Sequence, residues 1–191
     1  MDEKKTYVCL KCGQVYKPGD KDYKLLEATR WLTRTRMINE MDIDPDEINA
    51  DVTSCPDDGF VMIPKNYFNS EKDFIEISRL AREIYKTFGH RAFMNIGYEY
   101  TYVKIGCDSR IFDLFLNWIT GSSDKFGIQS GFSNRFINGE VCYDIEFYKS
   151  NQDFYKIARY LANKVRMYRM TGNFNIKYVH PITVKEKTNE A

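Results

Sequence analysis

The chain of 191 residues carries a formal net charge of +1, with 43% hydrophobic and 29% charged residues. This composition excludes an intrinsically disordered chain, and the chain is not globally basic. No apolar run approaches the roughly 20 residues that a membrane span needs. The first residues, MDEKKTYV, also lack the apolar stretch of a signal peptide, so we expect a cytoplasmic protein.

The N-terminal third predicts a hairpin followed by helical segments. Residues 5–17 favour a short hairpin around a Cys-x-x-Cys motif, and residues 60–69 favour a linker to the rest of the chain. The segment DIDPDEINADV predicts a short helix that Asp44 caps. Residues 23–39 predict a longer helix. Its apolar residues, expected to face inward, are Leu25, Leu26, Ala28, Trp31 and Leu32.

The rest of the chain predicts alternating strands and helices. A helix at 70–88 begins after the cap residue Ser70 and ends at Gly89. The elements expected after it are, in order, a strand at 98–107, a helix at 109–119, strands at 126–137 and 140–148, a helix from Asp153 to about Gly172, and a strand at 173–184. The Asn138-Gly139 pair predicts a tight hairpin between the two middle strands.

This order of elements predicts a ferredoxin-like α+β sandwich, in which two helices cover one face of a four-stranded antiparallel sheet. The helix at 70–88 is extra to that fold, and we expect it at an edge or end. The hairpin turn sets the register by placing Phe136 opposite Val141 and Phe132 opposite Ile145. The face turned away from the helices would carry tyrosines and charges, namely Tyr98, Tyr100, Tyr102, Lys104, Ser133, Arg135, Cys142, Asp144, Glu146 and Tyr148.

The cysteines suggest a metal site rather than a disulfide framework, because their number is odd, at five, and no secretion signal is present. The stretch YVCLKCGQVY (7–16) resembles the first knuckle of rubredoxins and zinc ribbons. The stretch CPDDG (55–59) resembles the second knuckle, with aspartate in the place of the fourth cysteine. The resemblance implies four metal ligands: Cys9, Cys12, Cys55 and Asp58.

Such a set is chemically sound for zinc, and with all four positions filled it would be a structural site. Zinc is favoured over iron because the rubredoxin pattern uses four thiolates. The alternative is that Cys55 is an ordinary turn cysteine and the two motifs never meet. The resemblance divides the chain into a zinc-ribbon-like module with a helical insert, residues 1–66, and a ferredoxin-like domain, residues 67–188.

Charge is distributed unevenly along the chain. Eight acids and no basic residue lie between Glu40 and Asp58, whereas nine basic residues and two acids lie between Lys149 and Lys187. This asymmetry permits a nucleic-acid surface on one side, attraction between two parts of the fold, or solvated faces. The stretch TYVKIG (101–106) resembles the first RNA-contacting motif of RRM domains, although the neighbouring strand carries carboxylates where that family has aromatic and basic residues. Our candidate contact residues for nucleic acid or another partner are Arg30, Arg34, Tyr100, Tyr102, Lys104, Arg135, Lys164, Arg166 and Arg169.

We therefore expect a non-enzymatic, zinc-stapled binding or regulatory protein that contacts nucleic acid or a nucleic-acid-processing machine. One alternative is an assembly subunit that buries the tyrosine-rich sheet face against another protein. Another is a metal-dependent nuclease or nucleotidyl enzyme using Asp144 and Glu146, which strand alternation places on one face. The Lys-, Asn-, Ile- and Tyr-rich composition suggests an AT-rich genome, such as that of a phage or a low-GC bacterium. The oligomeric state stays open.

Overall fold

The structure is a computed structural model that describes residues 5–41, 44, 53–60, 62–96, 102–120, 130–137, 140–148 and 154–172. These residues form an α+β protein with two antiparallel sheets. Among them, no helix has both the length and the apolar character that crossing a bilayer requires.

The first sheet is small and holds the N-terminal module together. It has the order β2-β1-β3, with β1 at Tyr7–Cys9, β2 at Val15–Tyr16 and β3 at Met62–Pro64. The predicted hairpin around the Cys-x-x-Cys motif is confirmed, since β1 pairs antiparallel with β2. The predicted linker at 60–69 is wrong in part, because its residues 62–64 form β3 and pair with β1. Met62 is buried there, so this part of the predicted linker belongs to the sheet.

Helix α1, Tyr23–Met41, lies on this module. Only one of the apolar residues predicted to face inward, Leu26, is buried, together with Tyr23. Leu25, Leu32 and Trp31 are more than half exposed, and Trp31 reaches 68%. The inward orientation of these residues, and of the exposed Ala28, was a wrong prediction. Helical spacing reveals an apolar stripe, but most of this stripe stays exposed.

The second sheet has the order β4-β5-β7-β6, and all its neighbouring strands are antiparallel. Strand β4 spans Ala92–Ile96, β5 Tyr102–Cys107, β6 Ser130–Ile137 and β7 Glu140–Tyr148. The hairpin register is confirmed, with Phe136 opposite Val141 and Phe132 opposite Ile145. Strand β4 was not predicted, and it pairs with the edge of β5.

Helices α2 (Glu71–Phe88), α3 (Ser109–Thr120) and α4 (Phe154–Thr171) share one core with this sheet. Alternate residues of β4 and β5 point into it, including Met94 and Ile105, which are fully buried. Helix 70–88 was expected at an edge or end, and α2 contacts the edge strand β4. One face of α2 is buried in this core, and the Asp73 carboxylate of α2 accepts a hydrogen bond from the Tyr155 N–H of α4 at 2.8 Å. A strongly amphipathic helix buries its stripe where most apolar surface is available.

The ferredoxin-like arrangement is not confirmed. Its β5, α3, β6, β7 and α4 portion is present in the predicted order, but the predicted strand at 173–184 lies outside the described residues. The predicted helix after Asp44 also lies outside them. The boundary between residues 66 and 67 stays a prediction. Val8 and Leu10 of the N-terminal module are buried in the same apolar cluster as α2, α3 and α4.

Candidate metal centre

The two cysteine motifs fold into turns with the same backbone hydrogen bonds, which we name knuckle 1 (residues 9–14) and knuckle 2 (residues 55–60). In each, the first cysteine donates its N–H to the carbonyl five residues on, and the glycine four residues on donates back to the cysteine carbonyl, at 2.7 to 2.9 Å. Gly13 and Gly59 have φ values of 74° and 70°, a conformation that glycine adopts without strain. The two knuckles are therefore structural copies of one another.

Asp58 occupies in knuckle 2 the position that Cys12 occupies in knuckle 1. Its Oδ1 atom accepts the backbone N–H of Phe60 at 2.9 Å, which fixes the orientation of the carboxylate. The Oδ2 atom of Asp58 lies 3.4 Å from the Sγ atom of Cys9. The aspartate is thus aimed at the cysteines rather than at solvent.

The structure brings the four predicted ligands together. One ligand atom from each of Cys9, Cys12, Cys55 and Asp58 lies within 4.8 Å of all the others. Cys9 and Cys55 are buried, while Cys12 and Asp58 are half-buried. The alternative in which Cys55 never meets the first motif is wrong, because its Sγ atom lies 3.8 Å from that of Cys12.

Two of the ligand–ligand separations match those around a tetrahedral metal ion. Zinc with Zn–S distances of about 2.3 Å and a Zn–O distance of about 2.0 Å would hold two sulfurs about 3.8 Å apart, and a sulfur and an oxygen about 3.5 Å apart. The distances found are 3.8 Å between Cys12 and Cys55, and 3.4 and 3.5 Å between Cys9 and the two carboxylate oxygens of Asp58. The residues present therefore fit a metal ion with three thiolate ligands and one carboxylate ligand.

Without a cation, the sulfurs can only share protons. Hydrogen bonds from the thiols of Cys12 and Cys9 lower the pKa of Cys55 to about 2. The hydrogen bond to Cys55 raises the pKa of Cys12 to about 12, and hydrogen bonds to Cys12 and Cys55 raise the pKa of Cys9 above its ordinary value. Burial and the nearby Cys55 raise the pKa of Tyr16 as well. The cluster thus favours one thiolate, and a dication would be needed to hold all three.

Knuckle 1 is fitted directly against the main core. The Gly13 carbonyl accepts a hydrogen bond from Arg82 Nη2 of α2 at 3.1 Å. A Cβ atom at position 13 would lie 2.5 Å from the backbone nitrogen of Arg82. The Leu10 carbonyl also accepts the Met94 N–H of β4 at 3.2 Å. Glycine is therefore required at position 13 by its close approach to α2 as well as by its φ.

The two residues that precede knuckle 2 are hydrogen bonded to α1. Thr29 Oγ1 of α1 donates to the Ser54 carbonyl at 2.7 Å, and Thr33 Oγ1 pairs with Ser54 Oγ at 2.7 Å. Thr53 Oγ1 donates back to the Leu26 carbonyl at 3.1 Å. The sequence analysis did not single out these threonines, although two threonines one helical turn apart on α1 were the available signal. The position of α1 follows that of Cys55, which is the next residue after Ser54.

Two of the five basic residues of α4 form ion pairs with acids of α2. Arg159 Nε lies 2.8 Å from Glu76 Oε1, and Arg169 Nη2 lies 2.6 Å from Glu83 Oε2. Arg166 is exposed and Lys164 is half-buried. These two ion pairs join α4 to α2. Attraction between two parts of the fold was one of the roles that the uneven charge distribution permitted.

The other predicted contact residues that the structure describes lie on α1, β5 and β6. Arg34 is exposed and Arg30 half-buried on α1, while Lys104 is half-buried on β5. Tyr100 lies outside the described residues, and only the backbone of Tyr102 and Arg135 is described. The backbone register places Glu146 opposite Lys104 and Asp144 opposite Gly106. The suggested catalytic role of these two acids stays a prediction.

Comparisons with protein-family models, with curated proteins and with solved structures found no match to this chain. The knuckle geometry is therefore the observation from which function has to be argued.

Proposed function

We propose that this protein is a zinc protein in which Cys9, Cys12, Cys55 and Asp58 hold one Zn²⁺ as a structural, non-catalytic centre. The proposal is carried by one observation, the match between the separations of the ligand atoms and the edges of a zinc tetrahedron. All four positions are filled by the protein, so no position is left for a substrate or an activated water.

Zinc fits better than iron or a hard cation. Three thiolates select a soft or borderline metal, which argues against magnesium and calcium. A carboxylate as the fourth ligand departs from the four thiolates of rubredoxin-type iron sites, whereas zinc accepts Asp together with Cys. When bound, zinc supplies a fixed charge that keeps the thiolates deprotonated and crosslinks two distant turns.

Metal analysis of paired variants tests this proposal. The Asp58→Ala variant removes the fourth ligand, whereas Asp57→Ala removes the neighbouring carboxylate, which accepts a hydrogen bond from Tyr16 but is not in the ligand cluster. We expect about one zinc per chain in the wild type and in Asp57→Ala. Asp58→Ala should lose zinc to a chelator faster than either. Equal retention in both variants would contradict the assignment of Asp58.

The binding role that we propose is non-enzymatic contact with nucleic acid, alone or within a nucleic-acid-processing machine, through α1. The support is an exposed indole on a helix with basic neighbours: Trp31 is 68% exposed, and Arg30 and Arg34 flank it in sequence. Indole rings stack on bases, and guanidinium groups contact phosphates. The zinc centre would serve this role by fixing knuckle 2, because α1 is hydrogen bonded to Ser54, the residue that directly precedes it.

Fluorescence anisotropy with labelled single-stranded and double-stranded DNA and RNA at low salt tests this role. Trp31→Ala should weaken binding by about tenfold, a typical value for one stacking contact. Met170→Ala is the matched control, because Met170 is also an exposed apolar residue but lies on α4. Absence of binding at low salt for every probe would refute direct contact.

The second candidate function is protein assembly, and the exposed apolar residues of α1 favour it. Leu25 and Leu32 lie two turns apart, and both are more than half exposed. Apolar side chains of this size on one helix face are typical of protein interfaces. Light scattering distinguishes the two functions: a stable oligomer that Leu25→Ser and Leu32→Ser dissociate, with no nucleic-acid binding, would favour assembly. The tyrosine-rich sheet face stays a prediction for the same function.

A further inference from the structure

A cleft lies among the helices and takes no part in the metal centre. Its volume is about 380 Å³. It opens between the end of α2, the turn that precedes β4, the first turns of α3 and the end of α4. None of the four proposed metal ligands lines it. The lining residues are Thr87, Phe88, Arg91, Arg110, Ile111, Leu114 and Tyr168.

The charged groups of this lining are cationic. Arg91 is held in place by Asp108, whose Oδ2 atom lies 2.6 Å from Arg91 Nε. Asp108 also accepts the Ile111 N–H through Oδ1 at 3.1 Å, so the anchor of Arg91 is itself fixed to α3. The side chain of Arg110 makes no hydrogen bond and no ion pair with any residue that the structure describes. One arginine is therefore pre-oriented at the cleft, and a second has all its donors available.

The remaining lining is mostly apolar. The rings of Phe88 and Tyr168 stack at a centroid distance of 5.9 Å and an angle of 23°. Ile111 and Leu114 of α3 add aliphatic surface. The Thr87 hydroxyl is already engaged, since it donates to the Glu83 carbonyl and accepts from Arg169. A ligand would therefore meet both arginine donors and apolar side chains in this cleft.

We propose that this cleft binds a small organic monophosphate, that is, a flat aromatic or heteroaromatic body carrying one phosphate group. Arginine side chains match phosphate oxygens with paired, charge-assisted hydrogen bonds. A volume of 380 Å³ lies near the lower end of the range for ligand pockets, which begins at about 300 Å³. This size suits a single nucleotide or an aryl phosphate rather than a dinucleotide or a chain. The proposal does not depend on the function assigned to the metal centre.

Isothermal titration calorimetry on the full, metal-loaded chain tests the proposal. The probes are 5′-AMP and phenyl phosphate, with adenosine and inorganic phosphate as partial ligands. Because arginine donors and apolar side chains both line the cleft, at least one of the two organic phosphates should bind about tenfold more tightly than either partial ligand. The stronger of the two also tells whether a nucleoside or a simple aryl body is preferred.

Arg110→Ala should weaken that binding by at least about tenfold, and Arg110→Lys by less, since lysine keeps the charge but not the paired donors. Arg166→Ala is the matched control, because Arg166 is exposed on α4 and does not line the cleft. Unfolding curves that match the wild type would exclude a folding defect. The proposal is overturned if neither organic phosphate binds at millimolar concentration, if inorganic phosphate binds equally well, or if Arg110→Ala binds like Arg166→Ala.

Discussion

Asp58 stands in knuckle 2 where Cys12 stands in knuckle 1, and its carboxylate lies 3.4 Å from the Sγ atom of Cys9. The two turns share their backbone hydrogen bonds and their left-handed glycine. The substitution of oxygen for sulfur therefore leaves the geometry of a four-ligand site intact and changes only its chemistry.

Replacing the aspartate with cysteine should convert the site into one with four thiolates. In Co²⁺-substituted protein, sulfur-to-metal charge-transfer absorption grows with the number of thiolates, so Asp58→Cys should raise its intensity by roughly a third. The Cys12→Ala variant should lower it by a similar fraction. Spectra that do not differ between the wild type and Asp58→Cys would argue that position 58 is not a ligand.

Removing the metal should destabilise the whole described body, not only its N-terminal module, because Val8 and Leu10 are buried in the main core. A metal present at 1,000 times its Kd stabilises the folded state by about 4 kcal/mol. For a chain of this size, this corresponds to a fall in Tm of roughly 8 to 16 °C after chelation. Calorimetry with and without chelator measures it, and an unchanged Tm would contradict a stapling role.

The Gly13→Ala and Gly59→Ala variants form a matched pair. Both positions have nearly the same φ and the same place in a knuckle, so backbone strain is equal. A Cβ atom at position 13 would collide with the backbone of Arg82, whereas at position 59 it meets no atom within 4 Å. Gly13→Ala should therefore lose about 1–3 kcal/mol more stability than Gly59→Ala. Urea unfolding measures the difference, and equal losses would mean that knuckle 1 does not press on α2.

The Asp73 carboxylate should matter to α4, because it accepts the Tyr155 N–H at the first turn of that helix. An unpaired first-turn N–H is normally satisfied by a cap, and loss of such a cap costs about 1 kcal/mol. Asp73 is also buried. We expect Asp73→Ala to destabilise the protein by about 1–3 kcal/mol, and Asp73→Asn, which keeps an oxygen acceptor, to recover much of the loss. Chemical denaturation tests this. Equal stability of Asp73→Ala and Asp73→Asn would show that this hydrogen bond does not stabilise the protein.

Local signals predicted which four residues come together in the cysteine–aspartate cluster, and they predicted the strand register. The glycine after each Cys-x-x-Cys-like turn indicated a knuckle, and the pair Asn138-Gly139 fixed the partners of β6 and β7 because a two-residue turn leaves only one register. Neither prediction needed knowledge of the rest of the fold. The place of Asp58 in the cluster could be predicted because its position in the turn, not its residue type, identified it.

Long-range packing could not be predicted in the same way. The helical period of α1 revealed a stripe that includes Trp31, but period alone does not tell whether another element covers a stripe. Strand β4 was missed because its five residues follow directly on a helix and its partner is set by tertiary contact. The side-by-side packing of α2 and α4 depends on contacts such as Glu76 with Arg159, which are distant in sequence.

In the proposed centre, one zinc ion is held by three sulfurs and one oxygen. X-ray absorption at the zinc edge of the purified, zinc-loaded protein tests it most directly. We predict three sulfur neighbours at about 2.3 Å and one oxygen neighbour at about 2.0 Å, with the oxygen replaced by sulfur in Asp58→Cys. Fewer than three sulfur neighbours would contradict this coordination. An absorption spectrum that Asp58→Cys leaves unchanged would contradict it as well.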